Sequence, residues 1–79
     1  MMQRALTRIA IRQYRKSGLL KGKLFRRIMD DDDVIDAVVA HAVAQSGEAD
    51  WQSFLDWLIT NAPDIIAFIM TLLSVMDDE

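Results

Sequence analysis

Few residues in this chain have the types and spacing needed for chemistry, and the most conspicuous are four aspartates at positions 30–33. A calcium loop needs a glycine at its sixth position and a glutamate at its twelfth. Counted from Asp30, those positions hold Ile35 and His41, so the calcium template fails. Neighbouring carboxylates in the first turn of a helix are directed away from one another, so they do not converge on one ion. They can, however, accept hydrogen bonds from the free backbone amides of that turn. We therefore predict a helix cap, with ion pairing to a basic segment as the alternative and no metal site.

His41 is the only histidine, and the chain has no cysteine. A single histidine has no second histidine or thiolate with which to share a zinc ion. No serine or carboxylate is spaced so as to suggest a catalytic triad. His41 falls at the edge of an apolar stripe that contains Val34 and Val38, so we predict a boundary residue of the core. We expect no enzyme, no catalytic residue and no cofactor.

The charges are divided between the two parts of the chain. All 9 basic residues lie at positions 4–27 and all 12 acids lie from Asp30 onward, so a net charge of −3 hides two oppositely charged segments. Arginines four residues apart on a helix present parallel guanidinium groups that suit phosphates. We therefore predict a basic arm over residues 1–29 that contacts nucleic acid or an acidic partner. Its binding residues are Arg4, Arg8, Arg12, Arg15, Lys16, Lys21, Lys23, Arg26 and Arg27.

Several uses of this arm remain open. Only Tyr14 and Phe25 interleave with the cations, so any contact with nucleic acid is expected to be independent of base sequence. The arm could instead lie on an anionic membrane surface, dock on the acidic half of a neighbouring copy, or pack its apolar side in the chain's own core. An Arg-rich, acid-free amphipathic segment also fits a mitochondrial presequence, although this one is poor in serine.

Apolar residues recur at helical spacing, which predicts an all-α fold. We expect a basic amphipathic arm with a helix over residues 3–16 and a weaker helix over residues 19–29. Its first helix has an apolar face of Met2, Leu6, Ile9, Ala10 and Tyr14. Residues 30–79 should form an acidic association module of three helices, the last two making a hairpin about Pro63, because proline suits the first turn of a helix.

The module's second helix shows an apolar stripe of Trp51, Phe54, Leu55, Leu58 and Ile59. Trp57 falls on the opposite, polar face. Tryptophan is enriched at interface hot spots, so we predict that Trp57 contacts a partner. Packing on the last helix or stacking with an arm arginine are the alternatives.

The last helix is the most apolar segment, with nine large hydrophobic residues among positions 65–76. This run is too short to span a bilayer, which takes about 20 apolar residues. A helix that is apolar over most of its circumference must be buried on several sides, and a module of fifty residues has a marginal core. We therefore predict association through Trp57, Ile65, Ile66, Phe68, Ile69, Met70, Leu72, Leu73 and Met76.

Together these features predict a non-enzymatic structural or assembly protein that oligomerises or packs on a larger assembly, as a virion component would. The competing functions are a peripheral membrane protein and a small inhibitor whose acids, including Asp36, Glu48 and Asp50, imitate nucleic acid. We expect a protein partner or a second copy and no small-molecule substrate. The absence of cysteine favours a reducing compartment such as the cytoplasm, or a virion, over a disulfide-dependent secreted scaffold.

Overall fold

The computed structural model describes residues 2–47 and 50–77, and within these ranges its regular structure is helical, with no strand. The predicted all-α class is confirmed. Met1, Glu48, Ala49, Asp78 and Glu79 lie outside the described residues, including three acids of the predicted module. The five helices of the described ranges are α1 (Met2–Lys16), α2 (Gly22–Met29), α3 (Asp32–Ser46), α4 (Trp51–Thr60) and α5 (Ala62–Asp77).

The aspartate run caps α3, as predicted. The Asp31 carboxylate accepts hydrogen bonds from the backbone amides of Asp33 at 3.0 Å and Val34 at 3.4 Å. Asp32 and Asp33 occupy the first turn, where negative charge stabilises the helix dipole. At its other end α3 stops at Gly47, whose φ of 64° is a left-handed conformation that glycine adopts without steric cost.

The junction of α4 and α5 differs from the predicted hairpin about Pro63. The two helices meet at Asn61 with a bend of 78°, so they form a near-perpendicular corner. The Asn61 side-chain amide donates to the Trp57 carbonyl at 2.9 Å, and the Asn61 carbonyl accepts from the Ile65 amide at 3.1 Å. Antiparallel helices need a connection of about 2–5 residues, and the single residue between α4 and α5 is too short to reverse the chain.

One hydrophobic core takes side chains from all five helices, on both sides of the boundary between residues 1–29 and 30–79. The basic segment therefore packs its apolar side in the chain's own core, which was one of the alternatives left open above. Helix α1 packs most extensively on α4 and next on α3. Its buried face is made of Leu6, Thr7, Ala10, Ile11 and Tyr14.

This buried face of α1 is rotated from the predicted one. Ile11 is buried, whereas Met2 and Ile9, predicted on the apolar face, are 57% and 44% exposed. The rotation centres the core side on Thr7, whose hydroxyl is buried without a hydrogen-bond partner among the described residues. A buried polar group without a partner is destabilising, because it loses its hydrogen bonds to water.

Tyr14 joins α1 to α4. Its ring is buried, and its hydroxyl donates a hydrogen bond to the Leu58 carbonyl. Burial raises the pKa of the Tyr14 phenol well above its ordinary value, because the charged phenolate would lose its hydration.

Replacing Thr7 with valine should stabilise the protein by about 1 kcal/mol, since it removes the unpartnered hydroxyl and keeps the branched shape. For a domain of this size the melting temperature would rise by roughly 4–8 °C. Thermal unfolding followed by circular dichroism measures the change. Thr71→Val is the matched control, because the Thr71 hydroxyl already donates to the Ala67 carbonyl at 3.0 Å on the exposed surface. A loss of stability in Thr7→Val would show that this hydroxyl has a partner in solution.

Tyr14 should ionise only when the protein unfolds. A folded-state pKa above the unfolded value means that stability from the neutral phenol is complete below the ordinary value near 10 and is lost as pH rises above it. Because the chain has one tyrosine, absorbance of the phenolate titrates this residue alone. We expect phenolate to form together with loss of helix, and Tyr14→Phe to lack this alkaline loss while being less stable at neutral pH. Phenolate formation near pH 10 in a fully folded protein would contradict this assignment.

Candidate cationic surface

Among the described residues, three of the nine basic side chains pair with acids of the same chain. Arg4 donates from Nε and Nη2 to the two Asp36 oxygens, at 2.5 and 2.6 Å, and Arg8 donates from Nη2 to Asp32 at 2.6 Å. Both pairs tie α1 to α3. Arg27 donates two hydrogen bonds to Asp77 and ties α2 to α5. The basic and acidic parts of the chain therefore meet within one molecule.

Arg15 is held by a ring rather than by an acid. Its guanidinium lies 5.2 Å from the centroid of the Phe25 ring, within the range of a cation–π contact. It also lies against Gly22, where an added Cβ would come within 3.1 Å of the guanidinium nitrogens. The absence of a side chain at Gly22 therefore gives Arg15 room between α1 and α2.

The other five basic side chains are exposed and form no ion pair with any described residue. They lie on the last two turns of α1, on the connecting loop and on the outer face of α2. Together with Arg15 they make up what we call the cationic corner, which also contains the exposed Leu19. Its six cations are Arg12, Arg15, Lys16, Lys21, Lys23 and Arg26.

The hydrogen bond from Arg4 holds the pKa of the Asp36 carboxyl below its ordinary value, and Arg27 has the same effect on Asp77. Hydrogen bonding to the ionised form favours that form. These pairs are exposed, so their effect on stability is small. Their larger consequence is electrostatic, because they neutralise the cations nearest the acidic helices and leave the cationic corner as the positive surface.

The predicted interface residues of α5 are divided by the structure. Ile65, Ile69 and Leu73 are buried in the chain's own core, so in this fold they are not available to a partner. The chain's own helices therefore cover this face of α5, in a core to which all five helices contribute. Ile66, Phe68 and Leu72 are half-buried against that core, whereas Met70 and Met76 are exposed.

The two tryptophans exchange the positions expected of them. Trp57 is half-buried against the core, whereas Trp51, predicted in the apolar stripe, is 47% exposed. Phe54 and Leu58 are the buried centre of α4, so the two tryptophans flank the core on opposite sides of the helix. Trp57 therefore contacts the chain's own core with part of its side chain, and the rest of it stays accessible. The exposed Trp51 was missed because it has helical spacing with the core residues.

His41 lies half-buried at the edge of the core, where its place on α3 predicts it. Its ring stacks on Phe68 of α5, with the centroids 4.1 Å apart and the planes inclined by 13°. Within the described ranges, no three His, Cys, Asp or Glu side chains are placed to hold a metal ion.

A test of length and hydropathy finds no described helix that could cross a bilayer alone; α4 and α5 together pass it, but as a pair bent by 78°. Comparison of the chain with models of protein families, with curated proteins and with solved structures finds no match in any of the three.

The pKa values of Asp36 and Asp77 should respond mainly to their hydrogen-bonded arginines, Arg4 and Arg27, with a smaller contribution from Arg8 at Asp36. Because the folded-state pKa is lowered, the ionised carboxylate adds stability above the ordinary pKa, and this is lost as pH falls through the folded value. Carboxyl carbon shifts recorded by NMR across acidic pH measure both groups. Arg4→Gln should return the pKa of Asp36 toward its ordinary value and leave Asp77 unchanged, and Arg27→Gln should do the reverse. Unchanged titration of Asp36 in Arg4→Gln would show that the pair does not form.

Proposed function

We propose that this protein is a non-enzymatic assembly protein whose cationic corner binds the phosphate backbone of nucleic acid. The observation that supports this is the segregation of cations: the six of the corner have no acid partner among the described residues, whereas Arg4, Arg8 and Arg27 are neutralised within the chain. Each phosphate that such a cation neutralises releases condensed counterions, which is the main source of sequence-independent affinity.

The composition of the cationic corner suits binding to the phosphate backbone of nucleic acid rather than recognition of its bases. Phe25 lies beneath Arg15 and Tyr14 is buried, so neither ring is free to stack on a base. Arginine and lysine contacts to phosphate position a protein on nucleic acid but do not read sequence. The affinity should therefore be steeply dependent on salt and nearly independent of sequence.

A membrane surface is less well matched. Binding in the plane of a bilayer needs an apolar helix face that can enter the headgroup region. Most of the apolar face of α1 lies in the protein core, and Leu19 is the large apolar side chain that the cationic corner exposes. Met2 and Ile9 are exposed on α1, but entry of the rest of its apolar face into a bilayer would require the core to open.

The acids set the orientation of the proposed complex. Asp50, Asp56 and Asp64 are exposed on or beside α4 and α5 and form no ion pair with a described residue. A polyanion repels these carboxylates, so the cationic corner would face the nucleic acid and the acidic helices would face outward. An outward acidic and partly apolar surface suits association with further protein, as an assembly role requires.

Binding of a short labelled DNA duplex, measured by fluorescence anisotropy at several salt concentrations, tests the proposal. The logarithm of the affinity should fall linearly with the logarithm of the salt concentration, with a slope of about −0.9 for each phosphate contacted. The variant Lys21→Gln/Lys23→Gln/Arg26→Gln should reduce the steepness of that slope by roughly 2–3 and weaken binding at least about tenfold at low salt.

The matched control is Arg4→Gln/Arg8→Gln/Arg27→Gln, which changes the net charge equally but removes cations that are already paired. It should bind much more tightly than the corner variant, and circular dichroism should show both variants folded. Equal loss in the two variants would attribute binding to net charge alone and would overturn the proposed site. So would absence of binding at low salt, or flotation with anionic vesicles in preference to binding of the duplex.

A further inference from the structure

Helix α4 exposes a row of apolar side chains that the fold does not cover. Trp51, Leu55 and Ile59 follow one another at intervals of four residues, so they lie in line along the helix. Trp51 and Ile59 are 47% and 41% exposed, and Leu55 is half-buried. This row lines a shallow, open depression of about 470 Å³, whose lining residues belong to α4 and its cap Asp50 and which we call the α4 groove.

The border of the α4 groove is polar and acidic. Asp50 and Asp56 lie along it, together with Gln52 and Ser53. Asp50 accepts a hydrogen bond from the Ser53 amide at 3.2 Å as the cap of α4, and Asp56 forms no ion pair with a described residue. Complementary charge steers an encounter and fixes its register, so an apolar groove with acidic edges favours an apolar segment flanked by cations.

The cationic corner is such a segment. Leu19 is 49% exposed on the loop between α1 and α2, with Lys16 and Lys21 on either side of it in the chain. The loop is shaped by Gly18, whose φ of 82° is left-handed. No lysine or arginine occurs after Arg27, so a basic segment that complements the groove must come from residues 4–27. Ile9 is also exposed there, but the neighbouring Arg8 is paired with Asp32, whereas Lys16 and Lys21 form no ion pair with a described residue.

We propose that the α4 groove binds the cationic corner of a second copy of this chain, with Leu19 against Trp51 and with Lys16 and Lys21 beside the acidic edge. Within one molecule Leu19 and Trp51 are both exposed, so both surfaces are free to meet those of another copy. The contact joins two different surfaces, so a pair of copies retains one free groove, on one copy, and one free corner, on the other. Head-to-tail contacts of this kind extend into rings or open filaments.

Two variants separate this arrangement from dimers in which two grooves, or two cationic corners, pair with each other. The groove variant is Trp51→Ala/Asp56→Lys, and it keeps Asp50 because that residue caps the helix. The corner variant is Lys16→Glu/Lys21→Glu. All four side chains are exposed, and circular dichroism should show both variants folded.

Sedimentation velocity at low salt, over a series of protein concentrations and without nucleic acid, measures association. The sedimentation coefficient of the unaltered protein should rise with concentration, and that of each variant alone should stay at the value of a monomer. An equal mixture of the two variants should form a one-to-one dimer and stop there, because the groove variant keeps its corner and the corner variant keeps its groove.

A matched control alters another exposed apolar and acidic pair on α5, in the variant Met70→Ala/Asp64→Lys. It should associate as the unaltered protein does. The inference is overturned if the unaltered protein stays monomeric at every concentration, if the groove variant associates normally, or if the mixture remains monomeric. This inference does not rest on phosphate binding: the groove variant retains the cationic corner and should still bind the DNA duplex, so the two proposals fail separately.

Discussion

The packing of α1 on α4 is the contact on which the rest of this structure depends. Residues 30–79 alone offer a core too small to offset the conformational entropy of ordering fifty residues, which costs roughly 1.5 kcal/mol for each. Helix α1 adds a buried face, and Tyr14 bonds it to the Leu58 carbonyl. The basic segment is therefore part of the folded domain. The orientation of α1 in the core determines which of its cations are free to bind a partner.

The rotation of α1 in the core also decides which cations remain free. With Thr7 at the centre of the buried face, Arg4 and Arg8 lie beside α3 and meet Asp36 and Asp32. The cations of the last turn and of the following loop extend beyond the reach of those acids. The basic and acidic residues, which are separate in the sequence, are thus also separate in space. The ion pairs of Arg4 and Arg8 lie between the two surfaces, and the cationic corner remains positively charged.

Local features of this fold could be predicted from sequence, and long-range ones could not. The cap formed by the aspartates before Val34 and the helical spacing are local, so pattern alone was sufficient. The pairing of Arg27 with Asp77 spans fifty positions, and nothing in either segment indicates it. Periodicity also cannot set the rotation of a helix to within one residue, which is why Ile9 was expected in the core in place of Ile11. For the same reason Trp51 was expected in the core and Trp57 on the exposed face, whereas Trp51 is the more exposed of the two.

Both proposed interactions use the cationic corner, and this overlap has a thermodynamic consequence. A phosphate backbone and the α4 groove of a second copy would compete for Lys16 and Lys21, so each would lower the apparent affinity of the other. Salt weakens both contacts, but the apolar contact of Leu19 with Trp51 has no counterpart in phosphate binding, so self-association should be the less salt-sensitive of the two. At low ionic strength nucleic acid would then favour single copies bound along its backbone. Removal of the nucleic acid would favour head-to-tail oligomers of the protein. Exchange between these two states needs no rearrangement of the core, because the corner and the groove are both exposed in the folded monomer.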